Sequence, residues 1–257
     1  MKVVVVGSSG RIGSRLVRNL RQEDLRVFAA SRGTGVDTTT GAGLDAALRD
    51  AEVVVDLSNA SPDDGAAALR FFDVSSRNLL AAARTAGVRH HIVLSVVGAD
   101  GLQASEYFRA KKLQEEMAAA SGIPFTIVRS TQFFEFISDT VQDGTAREIP
   151  IAPALVQPVA AEDLADTLAD AVFSNPFDAV LEVAGPDVLR LDEVAAEIAT
   201  AHEDGRRVVP DIHARYLGAE LGTASLLPGP GARIAATRFG DWLRASLQPC
   251  RISMSVT

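Results

Sequence analysis

"VVVVGSSGRIGSRL", residues 3–16, decides the fold. Val3 to Val6 are apolar on every side, so a strand made of them needs cover on both faces, as in the middle of a parallel sheet. Gly7, Gly10 and Gly13 follow at a spacing of three, and residues 11–22 then carry Ile12, Leu16 and Leu20 on one helical face. Strand, Gly-x-x-Gly-x-x-Gly and helix in that order read as a dinucleotide-binding turn. Gly7 permits a tight turn. Gly10 lets the main chain approach a diphosphate with no side chain between, and Gly13 lets the helix pack close to the strand. The helix would aim its free N–H groups and positive dipole end at the phosphates. Ser9, Arg11 and Ile12 complete the expected cradle.

Outward from this turn the chain alternates. Short apolar runs predict strands at 26–30, 53–57, 91–95, 125–129 and 180–183. Amphipathic stretches predict helices at 44–50, 71–86, 105–120, 162–173, 191–201 and 239–246. The fold class is α/β, a Rossmann-type doubly wound parallel sheet with helices on both faces and a small C-terminal substrate-binding portion. We expect a dinucleotide-binding domain over 1–200, with a substrate-pocket insertion at about 132–156, and the small portion over 201–257. From about 203 onward the pattern is least regular. One departure stands out. Only about twenty residues separate the second strand from "VVVDL", with one short helix between. A parallel pair needs a crossover of about a dozen residues, which Gly33-Thr34-Gly35 cannot supply, so the third strand of such a sheet is expected to shrink to 36–38 or be missing.

Composition narrows the function. The chain has 257 residues, 47% hydrophobic, with a net charge of -8 and no block of like positive charge, which argues against a nucleic-acid partner. No stretch approaches the roughly 20 apolar residues of a membrane span, and the apolar run at 3–6 is far shorter than a secretory core. The single cysteine, Cys250, cannot form an internal disulfide and reads as an idle thiol, in keeping with a cytoplasmic protein. "CRISMSVT" is not a prenylation ending. His90 and His91 are adjacent on a strand, point to opposite faces and make a poor metal pair; surface placement is expected. With no Cys/His cluster at zinc spacing, no metal is expected. Asp63-Asp64 and Glu115-Glu116 read as solvated faces. The expected partner is a small molecule, and the chain a monomer or homodimer.

The end of the second strand bears on which dinucleotide is bound. NAD-selective sites place an acid there for the ribose 2′-hydroxyl, and NADP sites a cation for the 2′-phosphate. Here "FAASRGTG" offers Ser31 and Arg32, with no acid before Asp37, which favours NADP(H). Arg11 could add a second cation. Asn59, in "DLSNA" at 56–60, is expected beside the adenosine.

Tyr107 and Lys111 are four apart on a predicted helix and share one face, and Ser95 ends the preceding strand. Reduction of a carbonyl needs a proton donor beside it while hydride arrives from the nicotinamide. A tyrosine titrates near 10, and a neighbouring ammonium is expected to lower that by ~1–3 units. The serine hydroxyl would hold the substrate oxygen, and Lys111 could bond the nicotinamide ribose.

Taken in order, "GSSGRIG", "IVLSVVGAD", "YFRAK", "SGIPFTIVRSTQFFEF", "VQPVAAEDLADTLADAV" and "LEVAGP" resemble the NmrA-like branch of the atypical short-chain dehydrogenases/reductases over about residues 1–200. The resemblance implies NADP(H) on a Rossmann fold, with the loop after "TIVRS" bordering the nicotinamide. Arg129, Ser130, Thr131 and Phe133 thereby become pocket candidates. Phe133, Phe134 and Phe136, with Val97, could form an apolar lid over a flat substrate, or they could be core. Some members of the family are reductases, some rely on the lysine alone, and some bind the dinucleotide as regulators that lack the tyrosine. The Tyr-x-x-x-Lys pair and Ser95 favour an NADPH-dependent reductase of a carbonyl, quinone or enone. A dinucleotide-sensing regulator, or an isomerase or dehydratase using bound NADP, is the alternative.

Overall fold

The fold was obtained as a computed structural model, which describes residues 1–61, 64–143 and 145–248; Cys250 and Asp63 lie outside the described residues. β1 (Lys2–Val6) leads through the glycine turn into α1 (Arg11–Gln22), then β2 (Arg26–Ala30), α2 (Leu44–Leu48) and β3 (Val53–Asp56). The chain continues with α3 (Gly65–Thr85), β4 (His90–Val96), α4 (Glu106–Ala119) and β5 (Phe125–Ser130). Next come α5 (Phe134–Gln142), β6 (Glu148–Ile151), β7 (Leu155–Val156), α6 (Ala161–Phe173) and β8 (Ala179–Ala184). β9 (Leu189–Arg190), α7 (Leu191–Ala201), β10 (Arg207–Pro210), β11 (Arg233–Ile234) and α8 (Phe239–Ser246) follow.

Seven parallel strands form the main sheet in the order β11-β8-β5-β4-β3-β1-β2. Helices cover both faces, as the valine run requires. Val3 and Val5 pack with Ile12, Leu16 and Leu20 of α1 and Leu164 and Leu168 of α6. Val4 and Val6 pack on the opposite face with Leu44 and Leu48 of α2 and Leu79 and Leu80 of α3. Fully burying a valine stabilises by about 1.5–3 kcal/mol relative to leaving it exposed, so this strand is a large share of what fixes the β3-β1-β2 side of the sheet.

Residues 36–38 join no ladder, and β2 is the edge of the sheet. After β2 the chain closes a 3-10 turn over Arg32–Thr34, in which Ser31 and Thr34 cap each other reciprocally. Asn78 of α3 then holds the Thr38 carbonyl at 2.8 Å, in place of a strand partner. α3 begins at Gly65, six residues before the apolar periodicity becomes visible; Asp64 caps it, its Oδ1 accepting the Ala67 N–H at 2.9 Å.

The less regular parts build a further layer over the C-terminal ends of the strands. There α5 and α7 pack against the tips of α3 and α4 around Phe72, Phe108, Phe134, Ile137 and Ile198. β6 pairs with β10, and β11 returns from the C-terminal stretch to extend the main sheet beyond β8. Glu135 ties this layer together: its carboxylate accepts from the Ala161 N–H that opens α6 and from Trp242 Nε1 of α8. Among the described residues no helix is long and apolar enough to cross a membrane, and no His/Cys/Asp/Glu group could hold a metal ion.

Several charged and titratable groups expected at the surface are inside. His90 and His91 are 4% and 2% exposed, because residues at the start of the central strand β4 are covered whichever face they take. His90 Nε2 lies 2.8 Å from Thr126 Oγ1. Glu115 is also buried: Arg129 Nε and Nη2 donate to its two carboxylate oxygens at 2.7 and 2.5 Å. Arg129 Nη1 reaches Asp100 at 2.5 Å, which holds the Asp100 carboxyl down at about 2. A charge on the inner face of α4 is tolerated because β5 supplies the matching fork.

Two predictions follow from these interior groups. Burial pushes His90 from 6.5 down to about 4. The unfolded chain therefore takes up a proton that the folded chain refuses, and stability falls as pH drops through the window from 6.5 to about 4. Urea unfolding across that range should show His90→Gln losing less stability than the parent; equal losses would contradict this. Arg129→Met removes the two-bond partner of buried Glu115 and leaves it only Lys112, 3.7 Å away, and should cost about 3 kcal/mol in the same measurement.

Candidate active site

The glycine turn is built by clashes that only glycine avoids. Gly7 has φ +77°, and a Cβ there would lie 2.7 Å from the Leu57 carbonyl oxygen. A Cβ on Gly13 would lie 2.3 Å from the Gly7 oxygen and 2.7 Å from Ser8 Cα, so α1 sits directly on the turn. Gly10 differs: its φ is −76°, and a Cβ would meet only the Gly7 oxygen, at 3.3 Å. Protein packing therefore demands Gly7 and Gly13, whereas a Cβ on Gly10 would press only mildly on the Gly7 oxygen and Gly10 lines both cavities. Gly10 is the N-cap of α1 and no side chain caps this helix end. Its first N–H groups remain available for an anion. Ser8 pins the turn to β2, its N–H and Oγ both donating to the Ala30 carbonyl at 3.2 and 3.0 Å.

Two cavities meet at this turn and share Gly7, Gly10, Leu57, Ser58 and Asn59. One, of about 550 Å³, runs past Ser9, Ser31, Arg32, Asp37 and Thr38 toward the sheet edge. Arg32 is exposed there and makes no ion pair within 4 Å among the described residues. The other, of about 310 Å³, is lined by Arg11, Ile12, Gly13, Ser95, Tyr107, Lys111, Ser130, Thr131, Phe133 and Phe136. Arg11 thus stands across the turn from Ser31 and Arg32, paired with Asp139. Asn59 lies where the two cavities join.

α4 supplies the reactive groups. Ser105 caps it, accepting from the Phe108 N–H at 3.4 Å, and donates through the same Oγ to the Leu217 carbonyl at 2.6 Å. That second bond brings the irregular segment around Tyr216 and Leu217 against the cavity, where both residues line the wall. One turn further on, Lys111 is buried, with Nζ donating to the Leu94 carbonyl at 2.7 Å and to Gln114 Oε1 at 2.5 Å, 4.6 Å from the Phe72 ring centroid. Burial pushes its ammonium down to about 8, against the opposing pull of Asp56 and Glu115.

Tyr107 departs from expectation. Its hydroxyl donates to Asn59 Oδ1 at 3.1 Å, and burial pushes it up to about 12. The Lys111 ammonium donates to Leu94 and Gln114, not to the phenol, and does not draw it down. Tyr107 is therefore a protonated donor at neutral pH. Burial likewise pushes Tyr216 upward, reinforced by Tyr107.

Ser95 Oγ is buried with no hydrogen-bond partner among the described residues, as are both amide atoms of Gln132 on the same wall. A buried polar group left unsatisfied costs about 1–3 kcal/mol, and a bound ligand is the usual relief.

Three sequence candidates lie elsewhere. Arg129 is engaged with Glu115 and Asp100. Phe134 is 1% exposed and stacks on Trp242 at 5.2 Å, in the core beneath α8, whereas Phe133 and Phe136 do reach the wall. Val97 is 2% exposed and absent from both cavity walls. The residues that sequence reasoning missed are Tyr216, Leu217, Gln132, Gln114 and Asp56. Only Gln114 carried a signal, three residues after Lys111 on the same helical face.

An uncapped helix N-terminus, a glycine opening onto a cavity and a second cavity with a free arginine fit a dinucleotide laid across the sheet's carboxyl end, as doubly wound sheets bind them. Residues 7–175 match a family profile described as NAD(P)H-binding, and the chain belongs to that family. This bears out the dinucleotide binding implied by the NmrA-like resemblance. Among curated proteins, the chain is 29% identical over 219 residues to the (4-alkanoyl-5-oxo-2,5-dihydrofuran-3-yl)methyl phosphate reductase of Streptomyces griseus, covering 77% of this chain and 72% of that one. It is 26% identical over 218 residues to the NAD(P)H azoreductase of Xenophilus azovorans, covering 77% and 73%. It is 29% identical to the chloroplastic divinyl chlorophyllide a 8-vinyl-reductase of Cucumis sativus, covering 72% of this chain and about half, 52%, of that one. DesIV, a dTDP-glucose 4,6-dehydratase from Streptomyces venezuelae solved with NAD and TYD bound, shares the fold with a TM-score of 0.71 at 18% identity, over 96% of each chain.

The glycines separate fold from binding. Gly13→Ala should destabilise the protein, because the added carbon meets backbone at 2.3 Å. Gly10→Ala should unfold within about 1 kcal/mol of the parent and yet bind NADPH at least tenfold more weakly. Thermal melting together with calorimetric titration checks both.

Proposed function

We propose that this protein is an NADPH-dependent reductase acting on a carbonyl, quinone or conjugated alkene of a small, largely apolar molecule. The observation that carries this reading is the unpartnered Ser95 hydroxyl on the same cavity wall as the protonated Tyr107 and the buried Lys111, continuous with the glycine turn. NADPH, when bound, supplies the hydride. Ser95 Oγ donates to the substrate oxygen and so relieves its own burial. Tyr107 delivers the proton that balances the arriving hydride, and Asn59 orients the phenol. Lys111 donates to the ribose of the dinucleotide. Phe133, Phe136 and Tyr216 exclude water around the reacting centre and favour a flat apolar substrate. The contribution of Tyr216 and Leu217 supports taking the segment from 201 onward as the substrate-binding portion. Reductase names among the relatives, for substrates that differ widely, agree with this reaction class.

Ser31 and Arg32 are the groups proposed to hold the 2′-phosphate. A charge-assisted bond contributes about 1.5–3 kcal/mol, so Arg32→Ala should weaken NADPH by roughly 10- to 150-fold and leave NADH nearly unchanged; equal weakening would remove the phosphate assignment. NADPH oxidation against a panel of quinones, enones and ketones tests the activity. Tyr107→Phe should lower kcat by about 10²–10⁴ with NADPH affinity retained. Stoichiometric NADPH binding with no turnover on such a panel would contradict the reductase reading.

A further inference from the structure

We propose that Gln114 is a positioning residue for Lys111, bridging its ammonium to the buried carboxylate of Asp56 so that the remaining N–H of the lysine is left for the dinucleotide. The inference rests on the reading of Lys111 as a dinucleotide contact. It is carried by an unbroken chain of hydrogen bonds on the face of the sheet that packs against α3 and α4. Lys111 Nζ donates to Gln114 Oε1 at 2.5 Å, and Gln114 Nε2 donates to Asp56 Oδ2 at 2.9 Å. Asp56 Oδ1 accepts from the Ser58 N–H at 3.0 Å and from Ser58 Oγ at 2.6 Å. Asp56, Lys111 and Gln114 are 2%, 4% and 1% exposed.

A neutral amide suits this position for a specific reason. It accepts from a cation with one end and donates to an anion with the other. A direct Lys111–Asp56 pair would swing the ammonium down onto β3. The bridge instead keeps Nζ at the level of the Leu94 carbonyl, with two donors used and one lacking an oxygen partner among the described residues. The same chain fixes Ser58, which lines both cavities, so one carboxylate sets the lysine and the wall between the two halves of the dinucleotide site.

The charged and titratable groups around Lys111 come from four elements. Asp56 faces it from β3. Glu115 lies on α4, matched by Arg129 of β5 and by Lys112. Tyr107, also on α4, is protonated. His91 of β4 is kept neutral by burial, opposed by Asp56. Burial disfavours the ammonium, and the charges of Asp56 and then Glu115 act to hold it protonated. Loss of the bridge removes an acceptor from Lys111, so the lysine releases its proton at lower pH.

The test is NADPH affinity by calorimetry from pH 6 to 10, which reads binding without turnover. In the parent, affinity falls as pH rises through about 8, the value to which burial brings Lys111; Lys111→Met removes that step. Gln114→Met, of similar volume, should move the step down by about one unit, a roughly fivefold loss at pH 8. Asp56→Asn keeps an acceptor for Gln114 but removes the charge, and should shift the step the same way. Gln114→Glu should restore the parent profile, since two adjacent carboxyls share one proton and retain the accept-and-donate pattern. A Gln114→Met step left at the parental pH, or affinity lost equally at every pH in both Gln114 variants, overturns the proposal. A parent whose affinity shows no step, with Lys111→Met binding normally, overturns the Lys111 assignment itself. Loss of NADPH oxidation with these binding profiles intact would instead count against the reductase reading.

Discussion

The approach of α1 to its own turn governs the rest of the structure. With a Cβ at Gly13 excluded by the Gly7 oxygen at 2.3 Å, the helix can start only where its first N–H groups stand over the end of β1. β1 is itself immobilised between β2 and β3, with valines buried on both faces. A helix end held in that way is a fixed positive pole on the carboxyl side of the sheet, one strand in from the β2 edge. Both cavities open from it, and several site candidates are placed by strands that end at the same edge: Ser95 by β4, Asn59 by the turn after β3, Ser130 and Thr131 at the end of β5.

The face of the sheet that packs on α3 and α4 follows a second logic, in which buried charge is made tolerable by complete pairing. Arg129 and Glu115 form a two-bond fork beneath the sheet. Lys111 is separated from Asp56 by an amide rather than set directly against it. The two arrangements differ in what they leave free. The fork consumes its donors and holds α4 to β5, whereas the bridged lysine keeps one donor unspent at the cavity. The same helix thus carries a two-bond ion pair at residue 115 and a partly unpaired ammonium at residue 111, a single turn apart.

How much of this was legible in the sequence depended on how local the cause was. The valine run, the glycine spacing, the one-faced pattern of α1 and the Tyr-x-x-x-Lys pair are short-range signals, and α1, β2, α7 and α8 were bounded correctly from them. That the third strand would be reduced to 36–38 or missing was readable, because a crossover has a minimum length; which of the two holds came from the structure. What failed was non-local. Glu115 looks like a solvated charge until β5, fourteen residues later, brings Arg129 beneath it. His90 and His91 look exposed until β4 is known to sit between β3 and β5. Phe133, Phe134 and Phe136 are indistinguishable by composition, and only the packing of α8 against α5 sends Phe134 to the core. Tyr216 belongs to a stretch without periodicity, held by a hydrogen bond from Ser105, over a hundred residues earlier, to the carbonyl of its neighbour Leu217.

The most direct test of the central claim is a crystal structure of the protein with NADPH bound. The diphosphate is expected against the main-chain amides of Arg11, Ile12 and Gly13, the 2′-phosphate beside Ser31 and Arg32, and the nicotinamide in the cavity lined by Ser95, Tyr107 and Lys111. A dinucleotide seated elsewhere on the sheet, or bound with its diphosphate away from the first turn of α1, would contradict it.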